Sequence, residues 1–181
     1  MLNRKLTEAA LQAGAAKAVV IPQAQIVLNA EFRSVCESNQ CGGYGRCWVC
    51  PPELGEIEAL MNAVRQYPHA LWYQSIAPLE DSFDIEGMFE AGAQHALLSQ
   101  RIQAAVLQLL QKPCLHLTCG GCHLCSVCAK RTNEPCRMPD RALASLEGYG
   151  IDVYATTKET PLAYINGQNT VTYFGAVLFS E

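Results

Sequence analysis

The sequence predicts an α/β fold, a mainly parallel or mixed central sheet flanked by helices, and three observations predict it. Short β-rich runs alternate with stretches of helical periodicity along most of the chain. Half of the 181 residues are hydrophobic, enough to bury one full core, so residues 1–181 are expected to form a single domain. The uncharged stretch from Thr160 to Ser180 carries Asn166, Gly167, Gln168 and Asn169 at its middle. Hydrocarbon would not tolerate that turn sequence, so the stretch reads as a C-terminal β-hairpin rather than a membrane span.

The elements follow in order. Leu6 to Ala13 forms a short helix, and Ala18 to Ile21 a strand stopped by Pro22; Ile26 to Leu28 is a second extended piece. Pro51, Pro52 and Glu53 open a helix in which Leu54, Ile57, Met61 and Val64 recur at helical spacing. Ala70 to Ile76 is a strand. A long helix from about Asp84 to Gln111 carries Ala91, His95, Leu98, Ile102, Ala105 and Leu109 on one stripe and ends at Pro113. Leu115 to Thr118 reads as a strand, Pro139 as the start of a helix with Leu143 and Leu146, and Ile151 to Tyr154 as a strand after a glycine cap.

Two cysteine-rich loops, 36–52 and 119–139, interrupt this alternation. Ten cysteines are too few for a disulfide scaffold of this length, and the N-terminal residues Met1 to Val20 lack the pattern of an export signal, so a cytoplasmic location and reduced thiols are expected. Metal ligation is then their main use. In the first loop Cys36, Cys41, Cys47 and Cys50 are interleaved with Gly42, Gly43 and Gly45. Glycines let the backbone turn tightly and aim amides at sulfur, which stabilises a negative cluster. Four thiolates would equally hold a tetrahedral zinc ion.

The second loop runs Cys119-x2-Cys122-x2-Cys125-x2-Cys128-x7-Cys136. Consecutive x2 spacings wrap a chain around a cubic cluster, as in bacterial ferredoxins, whereas zinc ribbons use two separated pairs. A cubane needs four thiolates and five are offered, which leaves Cys119 or Cys136 as the odd one out. Lys130, Arg131 and Arg137 flank the run with Glu134 opposing them, a charge balance that suits a net negative centre.

At these residues the chain resembles the predicted metal-binding proteins called domain of unknown function 2284. The resemblance rests on Cys36, Cys41, Tyr44 and Cys50-Pro51-Pro52, on Gly120-Gly121-Cys122-x2-Cys125-x2-Cys128, on Pro135-Cys136-Arg137-x-Pro139, and on Gly150-Ile151-Asp152-Val153. It implies metal or iron–sulfur binding and no particular activity. The family pattern has three cysteines in the first loop, matched by Cys36, Cys41 and Cys50, so Cys47 is an addition, and Cys119 precedes the matched set Cys122, Cys125, Cys128 and Cys136. By that resemblance the second site is complete without Cys119. The first has three ligands and an open iron, or a fourth from Cys47 or, across the fold, Cys119.

The leading expectation is one or two [4Fe–4S] clusters serving electron transfer to a redox partner protein. One alternative is an iron–sulfur enzyme acting on a small-molecule substrate through an open coordination site at the first cluster; the other is a zinc-stabilised interaction module. A net charge of −4 leaves no basic surplus for nucleic acid or an anionic membrane. A homodimer is compatible with the sequence. His95 reads as a hydrogen-bonded core histidine; His69, His116 and His123 are not paired at metal spacing, and His123 is a solvent-facing loop residue. Cys114 reads as a buried structural thiol. No Walker A motif, dinucleotide-binding glycine motif or serine nucleophile motif is present.

Overall fold

The computed structural model describes residues Met1–Glu181. Its centre is a mixed sheet of five strands in the order β1 (Lys17–Pro22), β2 (His69–Pro78), β5 (Thr170–Phe179), β3 (Leu115–Thr118), β4 (Ala144–Ser145). Antiparallel pairing predominates, and only β3 and β4 run parallel. Helices α1 (Leu2–Gln12), α2 (Phe32–Glu37), α3 (Ile57–Arg65), α4 (Ile85–Leu107) and α5 (Val153–Lys158) complete the fold.

Alternation along β2 sets the two faces of the sheet. Leu71 and Tyr73 join a core with Leu6 and Ala10 of α1, Leu98, Ile102 and Val106 of α4, and Val177 and Phe179 of β5. Ala70 and Trp72 point the other way, into a core with Leu117, Ala144, Leu146, Ile151 and Phe174, against which Val49 of the first cysteine loop and Leu54 just after it pack. One face thus carries the two long helices and the other carries the first cysteine loop.

Several expected elements differ. The C-terminal hairpin is one long strand: β5 has β2 on one side and β3 on the other, so no edge remains for a returning arm, and Thr160 to Asn169 stays irregular. The helix expected from Pro51 starts only at Ile57, because Gly55 takes φ +110°, outside the range a helix can continue through. Pro139 opens turns rather than a helix, and the sheet claims Ala144 and Ser145 as partners of Leu117 and Thr118. Ile151 makes an isolated bridge to Leu28, and the strand expected through Tyr154 is helix α5, capped by Asp152 Oδ1 accepting from Ala155 N at 2.8 Å. Helix α2, which holds Cys36, is not anticipated by the apolar pattern.

The helix-side core holds a polar network. Tyr73 donates to Ser99 Oγ at 2.8 Å, and Ser99 donates to the carbonyl of His95 at 3.0 Å. Thr118 Oγ1, 2.8 Å from Ser99, then donates to it, and His116 Nε2–H donates to the Tyr73 oxygen at 2.8 Å. This arrangement satisfies every donor and leaves only His116 Nδ1 without a partner. His95 is the expected core histidine: Nδ1 accepts from Ser75 Oγ at 2.7 Å and Nε2–H donates to Phe174 O at 3.1 Å. Gly175 makes room for this network, since a Cβ there would overlap the Tyr73 ring and hydroxyl.

Gly175→Ala should lower unfolding stability by about 1–3 kcal/mol, read by urea denaturation, because Tyr73 must shift out of its network. Burial holds His95 down at about 4 and His116 down at about 3. The unfolded chain takes up these protons below about pH 6.5 while the folded one does not, so stability is full above that pH and declines toward pH 4 and then 3. Each histidine steepens the decline by about 1.4 kcal/mol per pH unit. His116→Gln should flatten it by one proton's worth, whatever its effect on the plateau; an unchanged slope would contradict the assignment.

Candidate metal centre

The first loop packs on the sheet face opposite α1 and α4, the chain just after the second is held to α4 by Gln100 and Gln103 donating to Arg141 O and Asp140 O, and specific contacts lace the two loops together. Trp48 Nε1 donates to Glu134 O at 2.9 Å, Lys130 lies 4.6 Å over the Trp48 ring, and Lys130 Nζ pairs with Glu53 at 2.6 Å. The charges flanking the second run are therefore split: Lys130 is spent on the first loop, while Arg137 makes an exposed 3.5 Å pair with Glu134 and donates to Val127 O at 3.0 Å. Such an exposed pair contributes little. The lacing, rather than the net charge, positions the loops.

Within the first loop the chain doubles back at its glycines. Gly42 and Gly45 take φ +73° and +65°, which favours glycine, and Gly45 N donates to Pro51 O at 2.9 Å. Gly43 lies against two sulfurs: a Cβ built there would be 3.2 Å from Cys50 Sγ and 3.6 Å from Cys41 Sγ. Cys36, from α2, adjoins them. Burial, then the neighbouring Cys41, pushes the Cys36 thiol up, and Cys36 and Cys41 both contribute to the upward push on Cys50. Cys36, Cys41 and Cys50 therefore form one set.

Cys47 stands at the seam between the loops. It is the most buried of the cysteines, and it pairs first with Cys50, which pushes the Cys47 thiol down and the Cys50 thiol up. Backbone N–H groups of Val49 and Cys122 point at the Cys47 sulfur, and Cys128 is within reach. Cys122 is pushed up by burial and, in smaller part, by Cys47, Cys128 and Cys136. Cys122, Cys125, Cys128 and Cys136 line one small pocket with Leu124, Ala129, Met138 and Ala142. The loops also meet at Gly121, where a Cβ would be 4.0 Å from Cys50 Sγ.

Cys119 belongs to neither group at this level. It follows β3 directly, and burial and then Glu147 push its thiol up to about 12. Glu147 also contributes to the upward push on Cys36. No sequence spacing points to this glutamate, because only the pairing of β3 with β4 brings it beside the cysteines. Cys114 is half-buried against the helix-side core, away from both loops, and His123 is exposed.

The donor chemistry fits a metal. All ten thiols are free, nine of them gathered in two abutting loops with glycine amides and inward N–H groups among them. No three Cys, His, Asp or Glu side chains converge closely enough to chelate one metal ion. On the same side of the sheet, Trp72 Nε1 and both amide atoms of Gln74 are buried with no protein partner. No helix is long and apolar enough to cross a membrane.

No curated protein and no solved structure matches the chain. A family model does, over residues 19–179, which include both cysteine loops, all five strands but the first two residues of β1, and every cysteine. The chain belongs to the family described as predicted metal-binding protein, DUF2284.

Proposed function

We propose that this protein carries two neighbouring iron–sulfur centres, of the [4Fe–4S] type, and transfers electrons between a redox partner protein and a second donor or acceptor. The observation that carries the reading is the abutment of the two cysteine sets at Cys47, whose sulfur meets Cys50 of one set and Cys122 N–H and Cys128 of the other. Cys36, Cys41, Cys47 and Cys50 would hold the first centre, and Cys122, Cys125, Cys128 and Cys136 the second, the two complete ligand sets a carrier needs. When bound, such centres supply one-electron chemistry, with potentials set by hydrogen bonds to sulfur and by exposure.

The chain's own part is to position and shield. N–H groups aimed at sulfur stabilise the added negative charge, and Trp48, held by Lys130 and Glu134, covers the seam between the loops. Two centres in direct protein contact exchange electrons readily, which is the arrangement a carrier requires. A zinc module would need no such abutment, since each structural zinc site is closed by its own four ligands.

Anaerobically purified protein should be brown, with iron and acid-labile sulfide in similar amounts and a broad visible absorbance that bleaches on reduction. Stoichiometric zinc without sulfide, in protein never exposed to oxygen, would defeat the reading. Cys125→Ser and Cys128→Ser should each retain about half of the parent iron, one four-iron centre of two, and unfold at lower temperature. Cys114→Ala should keep the full complement; retention of all iron in both serine variants would mean the second set is drawn wrongly.

A further inference from the structure

The N-terminal half of α4 presents large apolar side chains to solvent. Ile85, Phe89 and Leu97 stand 62%, 76% and 54% exposed, and Phe83, just before the helix, 87%. Ile85, Phe89, Ala93 and Leu97 follow the i, i+4 spacing, so they form one ridge along the helix. The buried residues of the same helix, Ala91, His95, Leu98, Ile102 and Val106, occupy its other side, and the ridge faces away from the sheet. A single exposed apolar residue needs no explanation, but a contiguous row that includes two phenylalanines marks an interaction surface.

The charge around this ridge has one sign. Glu80, Asp81, Asp84, Glu86 and Glu90 border it, and no Lys or Arg occurs from Glu80 to Gln100. None of these acids takes part in the three ion pairs of the chain. Capping and the helix dipole account for Asp84, which accepts from Gly87 N at 2.8 Å, and for Glu86, but not for Glu80, Asp81 or Glu90. The ridge also leads toward the second cysteine set. One turn beyond Leu97, Gln100 donates to Arg141 O at 2.9 Å and holds its guanidinium at 3.1 Å, and Gln103 donates to Asp140 O at 3.0 Å. The residues flanking that pair, Met138 and Ala142, line the pocket of Cys122, Cys125, Cys128 and Cys136, so a short piece of chain joins that pocket to the end of the ridge.

We propose that this ridge is the docking surface for the redox partner, and that the partner is a one-electron carrier protein presenting an apolar face ringed by lysine and arginine. This rests on the electron-transfer reading above and adds to it the place and the chemistry of the partner. The apolar row supplies the area buried, while the unpaired acids around it steer and orient the encounter. A second copy of the chain docked ridge to ridge would set the same five acids against each other, and an anionic membrane would be repelled by them. A partner seated here lies beside the second cysteine set. One electron then passes between the second centre and the partner's carrier group, one being oxidised as the other is reduced, with no bond or proton exchanged.

The probe is cytochrome c, a basic one-electron carrier whose apolar haem edge is ringed by lysines. The full chain, purified anaerobically, is compared with Glu90→Lys, with a Phe83→Ser, Phe89→Ser double variant, and with Glu159→Lys. The last makes the same charge change at an exposed position ending α5, across the sheet from α4. Circular dichroism checks each fold. Titration calorimetry reads the binding of ferricytochrome c, and the absorbance of ferrocytochrome c reads electron transfer from chain that has been reduced with dithionite and desalted. At about 10 mM ionic strength, where the Debye length is about 30 Å, the parent should bind, and affinity and transfer rate should fall about tenfold in Glu90→Lys and in the phenylalanine variant but less than about twofold in Glu159→Lys. Raising the ionic strength to about 150 mM should weaken the parent more than Glu90→Lys. No binding by the parent, or equal losses in Glu90→Lys and Glu159→Lys, would overturn the proposal, as would a parent dimer that the phenylalanine variant converts to monomer in sedimentation. Binding that depends on Glu90 and the phenylalanines, in a chain that holds zinc and transfers no electron, sinks the electron-transfer reading and supports the docking surface.

Discussion

Two residues of parallel pairing, Leu117 with Ala144 and Thr118 with Ser145, tie the cysteine-bearing part of the chain to the sheet. They place the exit of β3, and with it the second cysteine run, next to the turn that carries Glu147. Leu146, buried in the core on that face, anchors the same corner. From there the chain is tied to the segment before α2 by Asn29 and Asp152, so the positions of Cys36, Cys119 and Glu147 all derive from one short pair of strands. The loops themselves contain little apolar surface and could not hold those positions alone.

The opposite face of the sheet answers a different demand. There the packing of α1 and α4 buries Tyr73, Ser99, His95 and His116, and each hydroxyl finds a partner because Gly175 leaves space for the tyrosine ring. Thr118 belongs to this network through its side chain, and the next residue, Cys119, belongs to the other face. A single strand end therefore joins a neutral interior, in which His116 Nδ1 alone lacks a partner, to the start of the second cysteine run.

Much of this was legible in the sequence. The strand at Leu115 to Thr118, the long helix closed before Pro113, and His95 as a core residue all follow from local pattern, since each depends on neighbours a few residues away. The cysteine spacing marked both loops. What pattern could not reach were elements decided by distant partners: Ala144 and Ser145 became strand because β3 offered them an edge, and the expected hairpin arm stayed irregular because β5 had already found β2 and β3. Glu147 was invisible for the same reason. Asp152 is a different case, for an N-cap aspartate before Val153 and Ala155 was a readable helix signal that the apolar run of Ile151 and Val153 outweighed.

The latch of Trp48 on the second loop has an optical consequence. The chain has two tryptophans. Trp72 is wholly buried in the core of the sheet, whereas Trp48 is partly exposed, hydrogen-bonded to Glu134 O and covered by an ammonium group. An indole in an apolar interior and one at a solvated, charged seam emit at different wavelengths, and the second sits among the groups that would quench it. Each half of the molecule therefore carries its own fluorophore, one reporting on the integrity of the sheet and the other on the closure of the loops.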